Sequence, residues 1–442
     1  MLREDTARTT LAPPPGPRSP APVQLAQRFL TTTRFAERCV ERYGHIYMLR
    51  MPGGERVVQV SDPDAIKQIF TAPKGTFDVG SGGNALLMPL VGSDSLLTLD
   101  GDRHLHHRRL LLPPLHGERM RGYRDLMVEV TENAMASWPV DRPFAIHPQM
   151  RDITLDVIIR AVFGVKEATR QDELRQALRE ILDLGQGTIA FAPWIRHWVH
   201  RPWVKFLELR ERVDELLYQE IARRRGEPDL AEREDILSLL LQAHYEDGSP
   251  MSDKELRDEL VTMLVAGHET TATGLAWTFD LILHDERVME RLLGSLDEGD
   301  EYLDAVIAEA LRIRPVIAQI SRKPREAFEL GGYTIPSGAL VAPNIALVHR
   351  RGDLYPEPNA FKPERFLDDG PDTYTWLPFG GGVRRCAGAA FATFEMGIVL
   401  RTVLQRAKLR AADPEPEQPH PRAVTIAPRN GTTVVAERID LR

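Results

Sequence analysis

The segment from Ser252 to His284 constrains this chain more than any other. Ser252 is followed three residues later by Glu255, the spacing of a capping box, and helical periodicity continues to about His284. At 1.5 Å per residue this is a rod of roughly 50 Å, long enough to cross a whole molecule. Its surroundings read the same way. From about Gly101 to Asp297 the pattern is overwhelmingly helical, broken by turn-like stretches such as Gly226 to Asp229 and Glu246 to Pro250. With 442 residues, 43% of them hydrophobic, the chain can bury a large core. No low-complexity linker divides its middle, so one large unit is expected.

The β signal is small. His45 to Met51 and Arg56 to Ser61 are β-rich runs joined by Pro52, Gly53, Gly54 and Glu55, a hairpin signal. Short strands are expected in Phe328 to Ile335 and Ala339 to Pro343, and a last hairpin in Val424 to Ala427 and Thr432 to Ala436 around Asn430-Gly431. Between them, Tyr355 to Gly382 reads as a long loop whose Phe361, Phe366, Trp376 and Phe379 pack against something. Ala12 to Pro22 holds six prolines and reads as an extended, poorly packed leader before helical periodicity in Val23 to Arg42. The expected division is a leader over 1–22 and one unit over 23–442, with a helix-rich and a smaller β-rich lobe. The class is mainly α with small β-sheets.

Charge and cysteine content remove several functions. Lys plus Arg number 56 against 64 Asp plus Glu, a net charge of -8, which gives no electrostatic reason to expect nucleic acid as a partner. Two cysteines, Cys39 and Cys386, are too few and too far apart for a disulfide framework or a Cys-rich zinc site, which fits a reducing, cytoplasmic setting. No apolar run reaches the ~18 to 20 residues of a membrane span, so no transmembrane anchor is expected. The start, Met1 to Asp5, is charged rather than signal-like.

The most informative segment for chemistry is Phe379-Gly380-Gly381-Gly382-Val383-Arg384-Arg385-Cys386-Ala387-Gly388, followed at once by the helical pattern Ala389 to Leu409. Cys386 sits where a helix starts. The positive end of the helix dipole and the amides of a glycine-rich turn both favour a thiolate there, a soft anionic metal ligand. A lone cysteine is otherwise a buried small hydrophobe, and a thiol nucleophile would need a histidine base, which is distant in sequence.

The pattern Phe-x-x-Gly-x-Arg-x-Cys-x-Gly, met from Phe379 to Gly388, resembles the haem-binding signature of the cytochrome P450 family. The resemblance covers about Val23 to Arg438. It implies the family's fold, with haem b between the long central helix and the helix after the cysteine loop. It implies Cys386 as the axial thiolate, Phe379 packed over the sulfur side, Arg384 on a haem propionate, and Gly380, Gly382 and Gly388 admitting backbone amides to the sulfur.

Within the long helix, Ala266-Gly267-His268-Glu269-Thr270-Thr271 matches the family's Ala/Gly-Gly-x-Asp/Glu-Thr-Thr pattern. A mid-helix glycine costs about 1 kcal/mol relative to alanine, so something other than helix stability selects it. By resemblance, Ala266 and Gly267 leave room beside the haem, Thr270 hydrogen-bonds the bound dioxygen and its water, and Glu269 feeds protons. His268 is not read as a second iron ligand. Neighbouring helical residues point about 100° apart, so it cannot share the face of Gly267.

The resemblance extends to the charged scaffold. Glu309 and Arg312 share a helix face, and Phe361-Lys362-Pro363-Glu364-Arg365-Phe366 resembles the family's Pro-Glu-Arg-Phe segment, which makes Arg365 the third member of a triad. Gly101 to Leu110 resembles the propionate-binding helix, with His104 and Arg108 one turn apart, and Arg322 matches a further propionate-binding arginine. His104, His106 and His107 lie close enough to suggest a metal cluster instead, but no carboxylate or cysteine is suitably placed beside them in sequence.

The family places the substrate pocket at Ser81 to Val91, Leu182 to Trp198, Val261 to Thr270, Val316 to Ser321 and Val424 to Ala427. Met88, Leu90, Phe191, Ile317, Ile320 and Ile426 there suggest a hydrophobic substrate such as a lipid, terpenoid or polyketide. Trp194, Trp198 and Trp203 line an access channel, touch a membrane surface or, the preferred reading, pack. The implied activity is a haem-thiolate monooxygenase that inserts one atom of O2 into that substrate. Its electrons come from an external ferredoxin and NAD(P)H-dependent ferredoxin reductase, with Arg109 and Arg385 as docking candidates or merely solvated. The alternatives are a peroxide-driven haem-thiolate hydroxylase, against which Glu269-Thr270 argues, and a non-catalytic haem sensor or carrier.

Overall fold

The computed structural model describes residues 11–441 except 31, 165–167, 185–199, 369–371 and 423. The central helix runs Asp253–Leu283 and opens on a complete capping box, the Ser252 amide donating to Glu255 Oε2 at 2.9 Å and the Glu255 amide to Ser252 Oγ at 3.3 Å. Most of its residues from Leu256 to Ile282 are buried, among them the charged Arg257, Asp258, Glu259 and Asp280. It packs against Ile146–Phe163 and against Ala389–Arg406, the helix after the cysteine loop. Gly274 permits the second approach, since a Cβ there would stand 3.2 Å from the sulfur of Met396.

Burial of the central helix lapses along one stripe. Met263, Ala266, Gly267 and Thr270 are accessible in part or in full, and their spacing of three, four and seven residues places them on one face. Because the rest of the helix lies inside the protein, this face borders an internal space.

The first hairpin is present. Ile46–Arg50 pairs antiparallel with Arg56–Val60, and Leu340–Pro343 extends the sheet in parallel. Helix Pro63–Thr71 is capped by Asp62, which accepts from the Ala65 amide at 2.8 Å, and it buries Ile66, Ile69 and Phe70 in the core beside that sheet.

The N-terminal periodicity is helical over Ala21–Leu30 and Thr32–Tyr43, as read. Other boundaries differ from the sequence reading, each for a tertiary reason. Residues 12–20 are extended, as their prolines require, but docked: the Met48 amide donates to Pro15 O at 2.8 Å and the Thr334 amide to Ala12 O at 3.1 Å. Prolines lack donors but keep their carbonyls, so such a segment can still accept from its neighbours. The run Phe328 to Ile335 is two strands, Phe328–Leu330 and Tyr333–Ile335, folded back at Gly331-Gly332, both at positive φ.

At the C-terminus the turn at Asn430-Gly431 exists, but its flanks enter different sheets. Thr425–Pro428 pairs with Pro419–Arg422, while Thr433–Ile439 pairs with Ala407–Ala411 and Pro143–Ala145. Glu417 takes the Asn430 and Thr432 amides at 3.1 and 3.0 Å, which splits what would have been one hairpin. The preceding helix ends at Arg406, where Ala407 turns extended into that outer strand. Among the described residues no helix is long and apolar enough to cross a membrane.

Candidate active site

The cysteine loop is fixed against helix Pro63–Thr71. The Cys386 amide donates to Phe379 O at 2.9 Å, and Gly380 and Gly382 both sit at φ 65°. A Cβ on Gly381 would meet the Phe70 ring at 2.2 Å and one on Gly382 the Phe70 carbonyl oxygen at 2.5 Å, so close approach as well as positive φ requires glycine here. Helix Ala389–Arg406 starts directly after Gly388. The Cys386 side chain is solvent-accessible yet densely surrounded by protein, so its open surface faces an interior cleft. That burial raises its thiol, against the pull of the Gly388 amide, Arg108 and Arg385. Of these opposing effects, desolvation is the larger.

Beside the loop lies a cluster of two arginines and a histidine. His104, Arg322 and Arg384 line one pocket together with Phe70, Gly101 and Gly381. Arg384 donates to Asp100 Oδ1 at 2.6 Å, to Leu96 O at 3.2 Å and to Leu99 O. Arg322 is 7% exposed and donates to Ser321 O at 3.2 Å. Burial, then the charge of Arg384, lowers its pKa to about 10. Burial, then Arg384 and Arg108, brings His104 down to about 3, so it is neutral. Among the described residues neither Arg108 nor Arg322 forms an ion pair with an acid, while Arg384 pairs with Asp100.

Asp100 was not singled out from the sequence, where nothing marks it. Burial works to raise its carboxyl, but amides of Ser81, Val79 and Gly80 and the charge of Arg384 hold it low. His107 turns the other way, with Nδ1 2.7 Å from Glu259 Oε1 and Nε2 3.0 Å from the Tyr245 hydroxyl. The three histidines do not converge, and among the described residues no group of three metal-ligating side chains forms.

On the central helix Thr270 Oγ1 donates to Ala266 O at 2.6 Å and Thr271 Oγ1 to Gly267 O at 2.8 Å. Such back-bonding draws carbonyls out of the helical ladder. His268 points away from the accessible stripe and is 1% exposed. Burial, then Arg151, brings it to about 3. Glu269 is held between two arginines that no motif announces: Arg151 Nε of helix Ile146–Phe163 at 2.8 Å and Arg422 Nε of strand Pro419–Arg422 at 3.0 Å. Each is far from Glu269 in sequence, so only the fold reveals them.

Glu309, Arg312 and Arg365 are brought together. Arg312 donates to both Glu309 oxygens, at 2.6 and 2.8 Å, and to His349 O and Pro358 O at 2.7 and 2.8 Å. Glu309 Oε1 also receives the Lys362 amide at 3.0 Å and Arg365 Nε at 3.3 Å. Sequence reasoning missed His349. Its Nδ1 donates to Arg312 O at 3.0 Å and its Nε2 accepts the Leu377 amide at 2.8 Å, two residues before Phe379. The long loop is thereby tied from the charged core to the cysteine loop, with Phe366, Trp376 and Phe379 packed edge to face along it.

Of the apolar pocket candidates, Ile317, Ile320 and Ile426 are half-buried. The Ile426 amide donates to Val316 O at 2.8 Å and its carbonyl accepts Trp277 Nε1 at 2.8 Å, which sets the strand Thr425–Pro428 against the central helix. Ile320 lies within 3.4 Å of where a Gly380 Cβ would stand. Leu90 is buried and Met88 exposed. Phe191, Trp194 and Trp198 fall outside the described residues, and Trp203 stacks on Phe206 with ring centroids 5.2 Å apart.

Comparison with known proteins identifies the family. Residues 13–434 match the family model described as Cytochrome P450. The chain is 40% identical over 430 residues to cytochrome P450 135B1 of Mycobacterium tuberculosis, covering 95% of this chain and 90% of that protein. It is 38% identical to cytochrome P450 138 of the same organism, covering 96% of each. Among solved structures, a retinoic acid-bound cyanobacterial cytochrome of this kind, CYP120A1, superposes with a TM-score of 0.83 at 25% identity over 97% of this chain and all of that one. The cytochrome P450DA haem domain gives 0.84 at 24% identity, a likeness of fold.

Proposed function

Since this chain belongs to the cytochrome P450 family, we propose that it hydroxylates a hydrophobic small molecule of lipid, terpenoid or polyketide type, with electrons from a ferredoxin and its NAD(P)H-dependent reductase. At the coarser level it is a haem-thiolate monooxygenase that uses O2, a redox partner and haem b. The residues fit that group. A cysteine opens on an interior cleft, and two arginines beside it lack protein acids, which suits a metal held by sulfur and carrying carboxylates.

Haem b, when bound, supplies the O2 activation by which one oxygen atom enters a substrate C–H bond and the other leaves as water with two electrons and two protons. Cys386 holds it through sulfur, since a coordinating metal deprotonates a thiol that burial alone would keep neutral. His104, Arg108, Arg322 and Arg384 receive its carboxylates. Phe379, Gly380 and Gly388 shape the sulfur side. Ala266 and Gly267 keep the accessible face of the central helix low. Thr270, by turning its hydroxyl from Ala266 O, can donate into the cleft, and Glu269 passes protons towards it. Ile317, Ile320 and Ile426 favour apolar ligands by burial of hydrocarbon surface, at ~25 cal/mol per Å2. The retinoic acid named with the similar cyanobacterial structure, mostly hydrocarbon, is in keeping with that class.

The observation that carries the reading is an interior Cys386 beside Arg108 and Arg322, which pair with no acid among the described residues. The first test is the absorption spectrum of the reduced, CO-bound protein, which should show thiolate ligation that Cys386→Ser loses. The second is substrate-dependent NADPH consumption with ferredoxin and reductase. Apolar compounds that shift the ferric spectrum should yield oxygenated product. Peroxide-only turnover, or binding without turnover, overturns the proposal.

A further inference from the structure

Glu269 is shared between two supports, one on a long helix and one on a short hairpin. On one side stands Arg151, in a helix packed along the central helix. Arg151 also pairs with Asp183 at 2.9 Å, and His147 Nε2 of the same helix lies 3.9 Å from Glu269. On the other side stands Arg422, at the end of a two-stranded sheet whose four-residue strands pair only with each other. In that sheet Arg422 faces Thr425 and Pro421 faces Ile426. Ile426, assigned above to the substrate pocket, is therefore in the same small hairpin as the arginine paired with the acid. The hairpin is anchored to the core through the main chain of Ile426, by Val316 and Trp277. Val424, near its tip, is 55% exposed.

From this juxtaposition we infer that Arg422 is a positioning residue that restrains Glu269 until the apolar pocket fills. A ligand pressing on Ile426 displaces the hairpin and draws Arg422 from Glu269, while Arg151 keeps its place. The acid is then held on one side only and free to swing towards Thr270. The inference rests on the proton-feeding role proposed for Glu269, and it adds the reason why protons would be withheld from a protein without substrate. The groups facing Glu269 are Arg151 and His147 of helix Ile146–Phe163, with Asp183 behind Arg151, Arg422 of the hairpin and His268 of its own helix at 3.9 Å. Of these, Arg422 alone is carried by a peripheral hairpin that also presents a pocket residue.

Coupling of this kind is reciprocal: if ligand loosens the ion pair, loss of the pair must tighten ligand by the same factor. The test is an equilibrium optical titration of the ferric holoprotein with retinoic acid, or with another apolar compound that shifts its spectrum. Wild type, Arg422→Gln, Glu269→Gln and the double variant are compared, with Arg422→Lys as the charge-preserving control. The expected result is binding at least three-fold tighter in each single variant, no further gain in the double variant, and wild-type affinity in Arg422→Lys. Unchanged affinity, or additive effects, would overturn the inference. A second readout is peroxide released without substrate in the presence of ferredoxin and reductase, expected to rise several-fold in Arg422→Gln and not in the double variant. Failure of the underlying role for Glu269 shows separately, as unimpaired coupled turnover by Glu269→Gln, and it too defeats the inference.

Discussion

Two clusters of charge in this molecule use the same residue types to opposite ends. Around Glu309 every group is answered: the carboxylate meets two guanidinium groups and an amide, and Arg312 reaches carbonyls of His349 and Pro358 while lying over the Tyr355 ring. Around the cysteine loop the account does not balance, for Arg108 and Arg322 have no acid among the described residues. Burying an unpaired charge is unfavourable, and a protein keeps such a group where an outside partner completes it. A saturated cluster thus marks scaffold, and an unsaturated one marks a place of binding.

The contrast can be broken first at its saturated end. Glu309→Ala leaves Arg312 buried without a counter-charge, a loss of ~3 to 5 kcal/mol. The variant should fail to incorporate haem, read as haem per protein after purification, and its 355–366 loop should be cut readily by protease. A haem-loaded Glu309→Ala protein would show that the cluster is dispensable.

A smaller effect lies in the histidine that joins the two clusters. Burial, then the charge of Arg312, brings His349 to about 3, against about 6.5 when unfolded. The unfolded chain therefore binds the extra proton. The stability owed to neutral His349 is complete above pH 6.5 and is lost progressively from there down to about pH 3. Between pH 6.5 and 5 this is about 2 kcal/mol. Urea unfolding across that range should give a slope of stability against pH shallower by about one proton in His349→Gln than in wild type. Equal slopes would remove His349 from the account.

The smallest effect should carry the opposite sign at the unsaturated end. In the haem-free protein Arg322→Gln removes a cation that burial disfavours, so stability should be unchanged or higher by up to about 1 kcal/mol. Haem retention, followed by transfer to apomyoglobin, should nonetheless become several-fold poorer. A variant that loses apoprotein stability as Glu309→Ala does would place Arg322 in the scaffold instead.

Local patterns were legible in the sequence where the fold needed only neighbours. The capping box at Ser252 and Glu255, the first hairpin and the glycine turn before Cys386 all depend on residues a few positions apart. What escaped was decided across the chain. Phe328 to Ile335 has the composition of one strand, but Gly331-Gly332 folds it in two. The turn at Asn430-Gly431 was visible, but not that Glu417 would send its flanks into separate sheets. Resemblance brought Glu309 and Arg365 into view together. Arg151, Arg422, His349 and Asp100 belong to no short pattern, and each gained its neighbours only through tertiary packing.

The stripe of Met263, Ala266, Gly267 and Thr270 has an evolutionary corollary. Because the central helix offers the cleft mostly backbone and small groups, that wall discriminates little between guests. Under the proposed function, discrimination falls to the side chains of short peripheral segments around 316–320 and 424–427, which are tied to each other and to the helix through main-chain bonds. A lineage can in this way explore new diets of molecules while its reactive machinery is inherited intact.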